Sequence, residues 1–140
     1  EGLPVRATED LEQAVAGADI ISCATLSASP VIHGAWLKPG AHLDLVGAFN
    51  LSMREADDAA LERSSVFIDT SAALTEGGDV AVAIKAGTYD RAKVKGDLFA
   101  LTRGQIAGRQ EPDEITLFKS IGTAIEDLAA AQLVWQLTGV

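Results

Sequence analysis

Residues 18–49 read ADIISCATLSASPVIHGAWLKPGAHLDLVGAF, and the fold is decided there. Asp19 to Ala24 is a short, nearly continuous apolar run, and His42 to Val46 is another. Runs of this kind, bounded by turn signals, suit strands of a parallel sheet covered on both faces. Each ends in small residues: Ser22-Cys23-Ala24-Thr25 in the first, Gly47-Ala48 in the second. In open α/β sheets ligands bind beyond the carboxyl ends of the strands, where small side chains let a flat ligand approach the backbone. Both ends are expected on one sheet edge, and the functional site is placed there.

Working outward, the pattern alternates. Upstream, Thr8 is the expected N-cap of a helix with Glu9 and Asp10 in its first turn and Leu11, Val15 and Ala18 on one face, closed by Gly17. Between the two runs, Ala35-Trp36-Leu37 suggests a short helical turn before the Pro39-Gly40 turn signal. Downstream, residues 53–65 predict a helix with Met53, Ala56, Ala60 and Leu61 inward and Glu55, Asp57 and Asp58 on a solvated face. Val66 to Asp69 is a third strand. Gly77-Gly78-Asp79 leads into a helix from Val80 to Ala86, and another short helix is expected over residues 97–102. Gly104 to Glu111 reads as a loop and Ile115 to Phe118 as a last strand. From Ser120, as N-cap, one long helix runs to about Leu137. It is apolar on most sides and so is expected to lie buried between other elements. Trp36 and Trp135 are expected as core or interface anchors.

Composition narrows the classes. The chain has 140 residues with 48% apolar content, enough for one domain with a real core. Net charge is −9, and Lys85, Arg91, Lys93, Lys95 and Arg103 alternate with Asp90 and Asp97 instead of forming a basic stripe. A nucleic-acid surface is therefore not expected. No apolar run is long enough to span a bilayer. The single cysteine, Cys23, excludes an internal disulfide and fits a reducing, cytoplasmic compartment. It reads as a buried small residue rather than a reactive thiolate. His33 and His42 have no metal-ligand spacing, so no metal is expected.

Strands alternating with helices predict an α/β fold with a parallel sheet. There is no G-x-G-x-x-G, the phosphate loop that follows the first strand of a dinucleotide-binding domain. This leaves a different α/β domain or the second half of a dinucleotide fold. In the second case the strand from Asp19 would pair with a strand that lies outside this sequence, and alone it would expose an apolar edge. The chain opens at Glu1 inside this pattern, and we read it as a piece of a longer protein.

The runs ADIISCAT, WLKPGAHLDLVGAF, MREADDAAL, VFIDT and EITLFKSIGTAIEDLAAAQLV, in that order, resemble the ornithine cyclodeaminase/mu-crystallin family. LKPGAHLDLVGA and TLFKSIGTAIEDLAAA are the most specific parts. The resemblance implies a homodimer in which a Rossmann-type NAD(P)-binding domain is inserted in a second domain that makes the dimer and holds the substrate. Residues 1–119 would be the C-terminal half of the NAD(P)-binding domain, and 120–140 a helix returning to the dimerisation and substrate domain. The phosphate loop, the residue choosing NAD or NADP and the substrate-binding cations lie upstream in the family, outside this sequence.

By the same resemblance Thr25, Val46, Gly47, Ala48 and Ser120 lie near the cofactor, and Phe49 and Ile121 near a small imino- or amino-acid substrate. Each has a plainer reading beside it. Thr25 is a strand-end hydroxyl, Gly47 a turn glycine with positive φ, and Ser120 a helix cap. Lys119, just before Ser120, is within reach of a substrate carboxylate on this reading, but is expected as an exposed lysine. One departure bears on activity. True cyclodeaminases read Val-Gly-Gly-Asp where this chain has Val46-Gly47-Ala48-Phe49, and that Asp is their acid/base residue. Phenylalanine exchanges no proton. The resemblance therefore implies an NAD(P)-dependent imine or ketimine reductase or amino-acid dehydrogenase. A crystallin-like NADPH and small-ligand binder and a true cyclodeaminase stand as alternatives. No catalytic acid is identified, since Asp44 and Asp69 lie within or at the end of strands.

Overall fold

A computed structural model describes residues 2 and 4–139. Five strands form one sheet: β1 (Ile20–Cys23), β2 (His42–Leu45), β3 (Ser65–Ile68), β4 (Gly96–Asp97) and β5 (Thr116–Lys119). Their order is β1-β2-β5-β3-β4 and every pairing is parallel. All carboxyl ends therefore share one edge, as the apolar runs implied. The last strand in sequence lies at the centre, between β2 and β3. Leu43, Leu45, Val66 and Leu117 are buried in the core this sheet builds with its helices. β4 has two residues and no apolar run, and the sequence gives no sign of it.

Among the described residues there are five α-helices: α1 (Leu11–Gly17), α2 (Asp58–Glu62), α3 (Gly78–Ala86), α4 (Leu98–Thr102) and α5 (Ala124–Thr138). A 3-10 turn at Gly34–Trp36 stands where a helical turn was expected, with half-buried Trp36 packed against the core. Several boundaries differ from the sequence reading, each for a local reason. Asp10, not Thr8, caps α1: its Oδ1 accepts the Gln13 N–H, and Thr8 Oγ1 accepts the Asp10 N–H. Residues 53–57 are not helical. Val31 and Ile32 donate to the Glu55 carbonyl, Ala56 bridges Ile32, and the Asp79 carboxylate takes the Glu55 and Ala56 N–H groups. The helix begins only where the Asp57 side chain caps Ala60 N–H.

Ser120 does not cap the long helix. Gly122, at φ 80°, turns the chain first, and α5 starts after Thr123. Nor is α5 buried: no residue of it is, and Ile125, Leu128, Val134 and Trp135 are exposed. Its first turn borders Leu98 and Phe99 of α4, and beyond that its apolar surface is left uncovered among the described residues. The β1 side of the sheet is also open, with Ile20 71% exposed on an edge strand that, among the described residues, pairs only with β2.

Candidate functional site

Along the carboxyl edge the strand ends follow in order: Thr25 after β1, Val46-Gly47-Ala48 after β2, Ser120 after β5, Asp69 after β3. Ser120 N–H donates to the Leu45 carbonyl at 3.0 Å, which seats it beside Val46. Gly47 has no positive φ, so a turn requirement does not explain it. A close approach does, but to protein: a Cβ there would lie 2.0 Å from the Thr25 carbonyl oxygen and 2.4 Å from Glu55 Oε1.

Glu55 holds this junction together. Its Oε1 accepts the Thr25 N–H (2.5 Å) and the Thr25 hydroxyl (2.9 Å). Its Oε2 accepts the N–H groups of Gly47 (2.8 Å) and Ala48 (3.2 Å). The side chain is fully buried, so the expected solvated helix face is wrong for this residue. A buried carboxylate is tolerated when its lone pairs are filled by donors, as here. Asp57, also expected on that face, is half-buried and accepts from Gly34 N–H and Ala60 N–H and faces His33 Nδ1 at 3.0 Å.

Beneath the junction lie two more charges. Lys119 is not exposed at all: its Nζ donates to the Leu45 carbonyl at 3.2 Å and faces Asp79 Oδ2 at 3.5 Å. Asp79 is likewise buried, with Oδ1 bonded to the Glu55 and Ala56 N–H groups and Oδ2 without a hydrogen bond. Burial lifts the Asp79 carboxyl above its ordinary value; the two N–H bonds and the Lys119 ammonium counter this only in part, and the Glu55 charge adds to it. The same surroundings act on Cys23, whose thiol is raised to about 11, first by burial and then by Glu55 and Asp79. It is the inert buried cysteine its position suggested.

A third buried carboxylate, Asp69, organises the next part of the edge. Its Oδ2 accepts from Ser120 Oγ (3.0 Å), Ile121 N–H (2.7 Å) and Gly122 N–H (2.9 Å), fixing the turn that carries Ser120 and Ile121. Asp69 is thus committed to the backbone and is not placed as an acid. Asp44 is bonded to Ser22 Oγ within the sheet. Phe49 is 48% exposed at the end of the β2 loop, next to the buried Ala48.

The remaining candidates lie elsewhere. His42 Nδ1 contacts Thr116 Oγ1 at the amino-terminal ends of β2 and β5, and burial lowers its pKa. No group of three metal-ligating side chains occurs among the described residues. A cleft of about 600 Å³ lined by Arg63, Tyr89, Lys93 and Glu114 also opens at the starts of β3 and β5, away from the strand ends. Nearer the edge, Asp69, Thr70, Phe99 and Ile125 line a small apolar pocket of about 170 Å³. Of the sequence-named residues, the structure gathers Thr25, Val46, Gly47, Ala48, Phe49, Ser120 and Ile121 on one edge. Glu55, Asp79 and Lys119 were missed. Only Lys119 had a signal, because the alternation that buries Leu117 puts it on the same face.

The chain is similar to known proteins over most of its length. It is 46% identical over 126 residues to Protein SAR DEFICIENT 4 of Arabidopsis thaliana, covering 90% of this chain and 39% of the relative. It is 45% identical over 129 residues to Delta(1)-pyrroline-2-carboxylate reductase of Paracoccus denitrificans, covering 91% and 41%. Among solved structures, Delta(1)-pyrroline-2-carboxylate reductase of Thermococcus litoralis, in complex with NADH and L-proline, superposes with a TM-score of 0.87 at 34% identity, covering 92% and 40%. The chain thus spans about two fifths of the length of these relatives. The Ornithine cyclodeaminase/mu-crystallin family model matches residues 1–138. With the parallel sheet, the strand-end edge and this match in agreement, the chain belongs to the ornithine cyclodeaminase/mu-crystallin family.

Proposed function

We propose that this chain is the second half of the NAD(P)-binding domain of a reductase acting on a small cyclic imine such as Δ1-pyrroline-2-carboxylate. The observation that carries the reading is the Thr25–Gly47 junction, a tight floor of small residues at the carboxyl edge of a parallel sheet. Such an edge accepts a flat ring. The small residues Gly47 and Ala48, with at most a methyl group between them, suit a flat nicotinamide. Thr25, Val46, Gly47, Ala48 and Ser120 would hold the cofactor, NAD or NADP. Phe49 and Ile121 would border the substrate.

When bound, a reduced nicotinamide supplies hydride to the imine carbon. This chain's part is positional. Glu55 locks the floor, and Asp69 fixes the Ser120–Gly122 turn beside it. Residues 1–119 belong to the cofactor domain and 120–140 to the dimerisation and substrate domain. The open β1 edge supports the division, since it offers a place for the strands of the first half. The uncovered apolar side chains of α5 support a homodimer in which that helix is covered. A lone buried thiol fits a cytoplasmic setting. No helix among the described residues is long and apolar enough to cross a membrane.

Titrating the full-length protein with NADH and NADPH by fluorescence, then following reduction of Δ1-pyrroline-2-carboxylate, tests the reading. Saturable binding and turnover support it, and no nicotinamide binding overturns it. Exposed Phe49, where cyclodeaminases place an acid, favours one alternative: a crystallin-like protein that binds NADPH and a small ligand without turnover. Binding with no reduction across a panel of cyclic imines would select it. Ammonia release from ornithine would restore cyclodeaminase chemistry.

A further inference from the structure

In a parallel pair the backbone bonds alternate between strands in even steps. Along β1 and β2, His42 N–H donates to the Asp19 carbonyl at 2.8 Å and Val46 N–H to the Cys23 carbonyl at 2.9 Å. The next rung would run from Thr25 N–H to the Val46 carbonyl. It is not made. Glu55 Oε1 takes the Thr25 N–H instead, and its other oxygen takes the Gly47 and Ala48 N–H groups.

The consequence is a floor whose donors all point inward. The Gly47 carbonyl accepts from Phe49 N–H and the Ala48 carbonyl from Gly78 N–H, each at 2.9 Å. The Val46 carbonyl takes no hydrogen bond among the described residues, and Val46 is 42% exposed at the edge. A main-chain acceptor on a partly exposed residue is thus left without a donor among the described residues, while the buried Glu55 carboxylate has taken the neighbouring Thr25, Gly47 and Ala48 N–H groups. Such a position selects a ligand group that donates.

Resting on the nicotinamide reading above, we infer that Glu55 is a positioning residue that holds the Val46 carbonyl open to accept a hydrogen bond from the carboxamide NH₂ of the nicotinamide. Glu55 touches neither cofactor nor substrate. By intercepting one rung of the sheet it converts a strand end into an acceptor site.

The test compares two dinucleotides of nearly equal shape and charge in the full-length protein. NADH carries the carboxamide, while reduced 3-acetylpyridine adenine dinucleotide replaces its NH₂ with a methyl group that donates nothing. Wild type is expected to bind NADH about three- to tenfold more tightly, the range one neutral hydrogen bond gives. In Glu55→Gln an amide NH₂ meets converging N–H groups, so the junction must rearrange and Thr25 N–H is free to close on Val46. The ratio is then expected to fall to about one in a protein that still melts cooperatively. If Glu55→Gln does not fold, Glu55→Asp reads the same ratio with the buried charge kept but the Thr25 contact drawn away. Equal binding of both dinucleotides by wild type, or a variant that weakens both equally and preserves the ratio, overturns this inference alone. Wild type binding neither dinucleotide overturns the nicotinamide reading itself.

Discussion

Gly47 and Thr25 are in backbone contact: a Cβ on Gly47 would stand 2.0 Å from the Thr25 carbonyl oxygen and 2.3 Å from its amide nitrogen. Neither atom can retreat like the end of a flexible side chain, so a methyl group there must force the two strand ends apart. Gly47→Ala is expected to destabilise the protein by about 3 kcal/mol or more, the upper range for overpacking. It should also abolish nicotinamide binding in whatever still folds. Gly17→Ala, with nothing within 4 Å of the added methyl, is the control and should be neutral or slightly stabilising. Urea denaturation of both variants checks the contrast.

Lys119 faces Asp79 at 3.5 Å with both side chains fully buried. Removing the ammonium leaves the buried Asp79 carboxylate without its cation. Lys119→Met is therefore expected to lose about 3–5 kcal/mol, the cost of breaking a buried pair from one side. Removing the second charge as well should recover part of that, so Lys119→Met with Asp79→Asn should be less damaging than the sum of the single changes. A double-mutant cycle in urea measures the coupling, and strict additivity would mean the two charges do not interact.

Asp69 collects Ser120 Oγ, Ile121 N–H and Gly122 N–H on one oxygen. Ser120→Ala removes one of these donors and should cost about 1 kcal/mol. Asp69→Ala strips the acceptor from all of them and should cost roughly 3 kcal/mol, since buried donors are left unpaired. Thermal denaturation of the two variants gives the ratio.

Burial alone would raise the Asp57 pKa, but bonds from Gly34 N–H, His33 and Ala60 N–H outweigh it and hold the carboxyl below its ordinary value. The unfolded chain then binds this proton more readily than the fold. The contribution to stability is complete above the unfolded value, about pH 4, and fades as pH falls through the lower folded value. Asp57→Asn should therefore differ most from wild type near neutrality, and the gap should narrow in acid. Urea midpoints from pH 6 down to pH 3 test this sign.

Four of the five strands among the described residues were legible because short apolar runs bounded by turn signals mark them: IISC and HLDL needed no tertiary information, although only alternate residues of each are buried. Their shared edge followed from parallel pairing. The Met53–Ser65 helix failed because READDAA has helical amphipathicity, yet the Glu55 carbonyl that a helix would bond to residue 59 accepts from Val31 and Ile32 N–H instead, and Ala56 bridges Ile32, twenty-four residues away. Periodicity carries no trace of a partner that distant. Glu55 was misplaced for the same reason, since only the junction of two strand ends creates the donors that make its burial tolerable. In α5, hydrophobicity on most sides predicted burial between other elements, and the structure leaves the helix bare among the described residues.

The central claim, that the Thr25 and Gly47 ends lie under a nicotinamide, is tested most directly by amide NMR of the full-length protein titrated with NADH. Shift changes concentrated at Thr25, Val46, Gly47, Ala48 and Ser120 are the expected result. Changes concentrated instead at Tyr89, Lys93 and Glu114, around the cleft at the opposite end of the sheet, would contradict it.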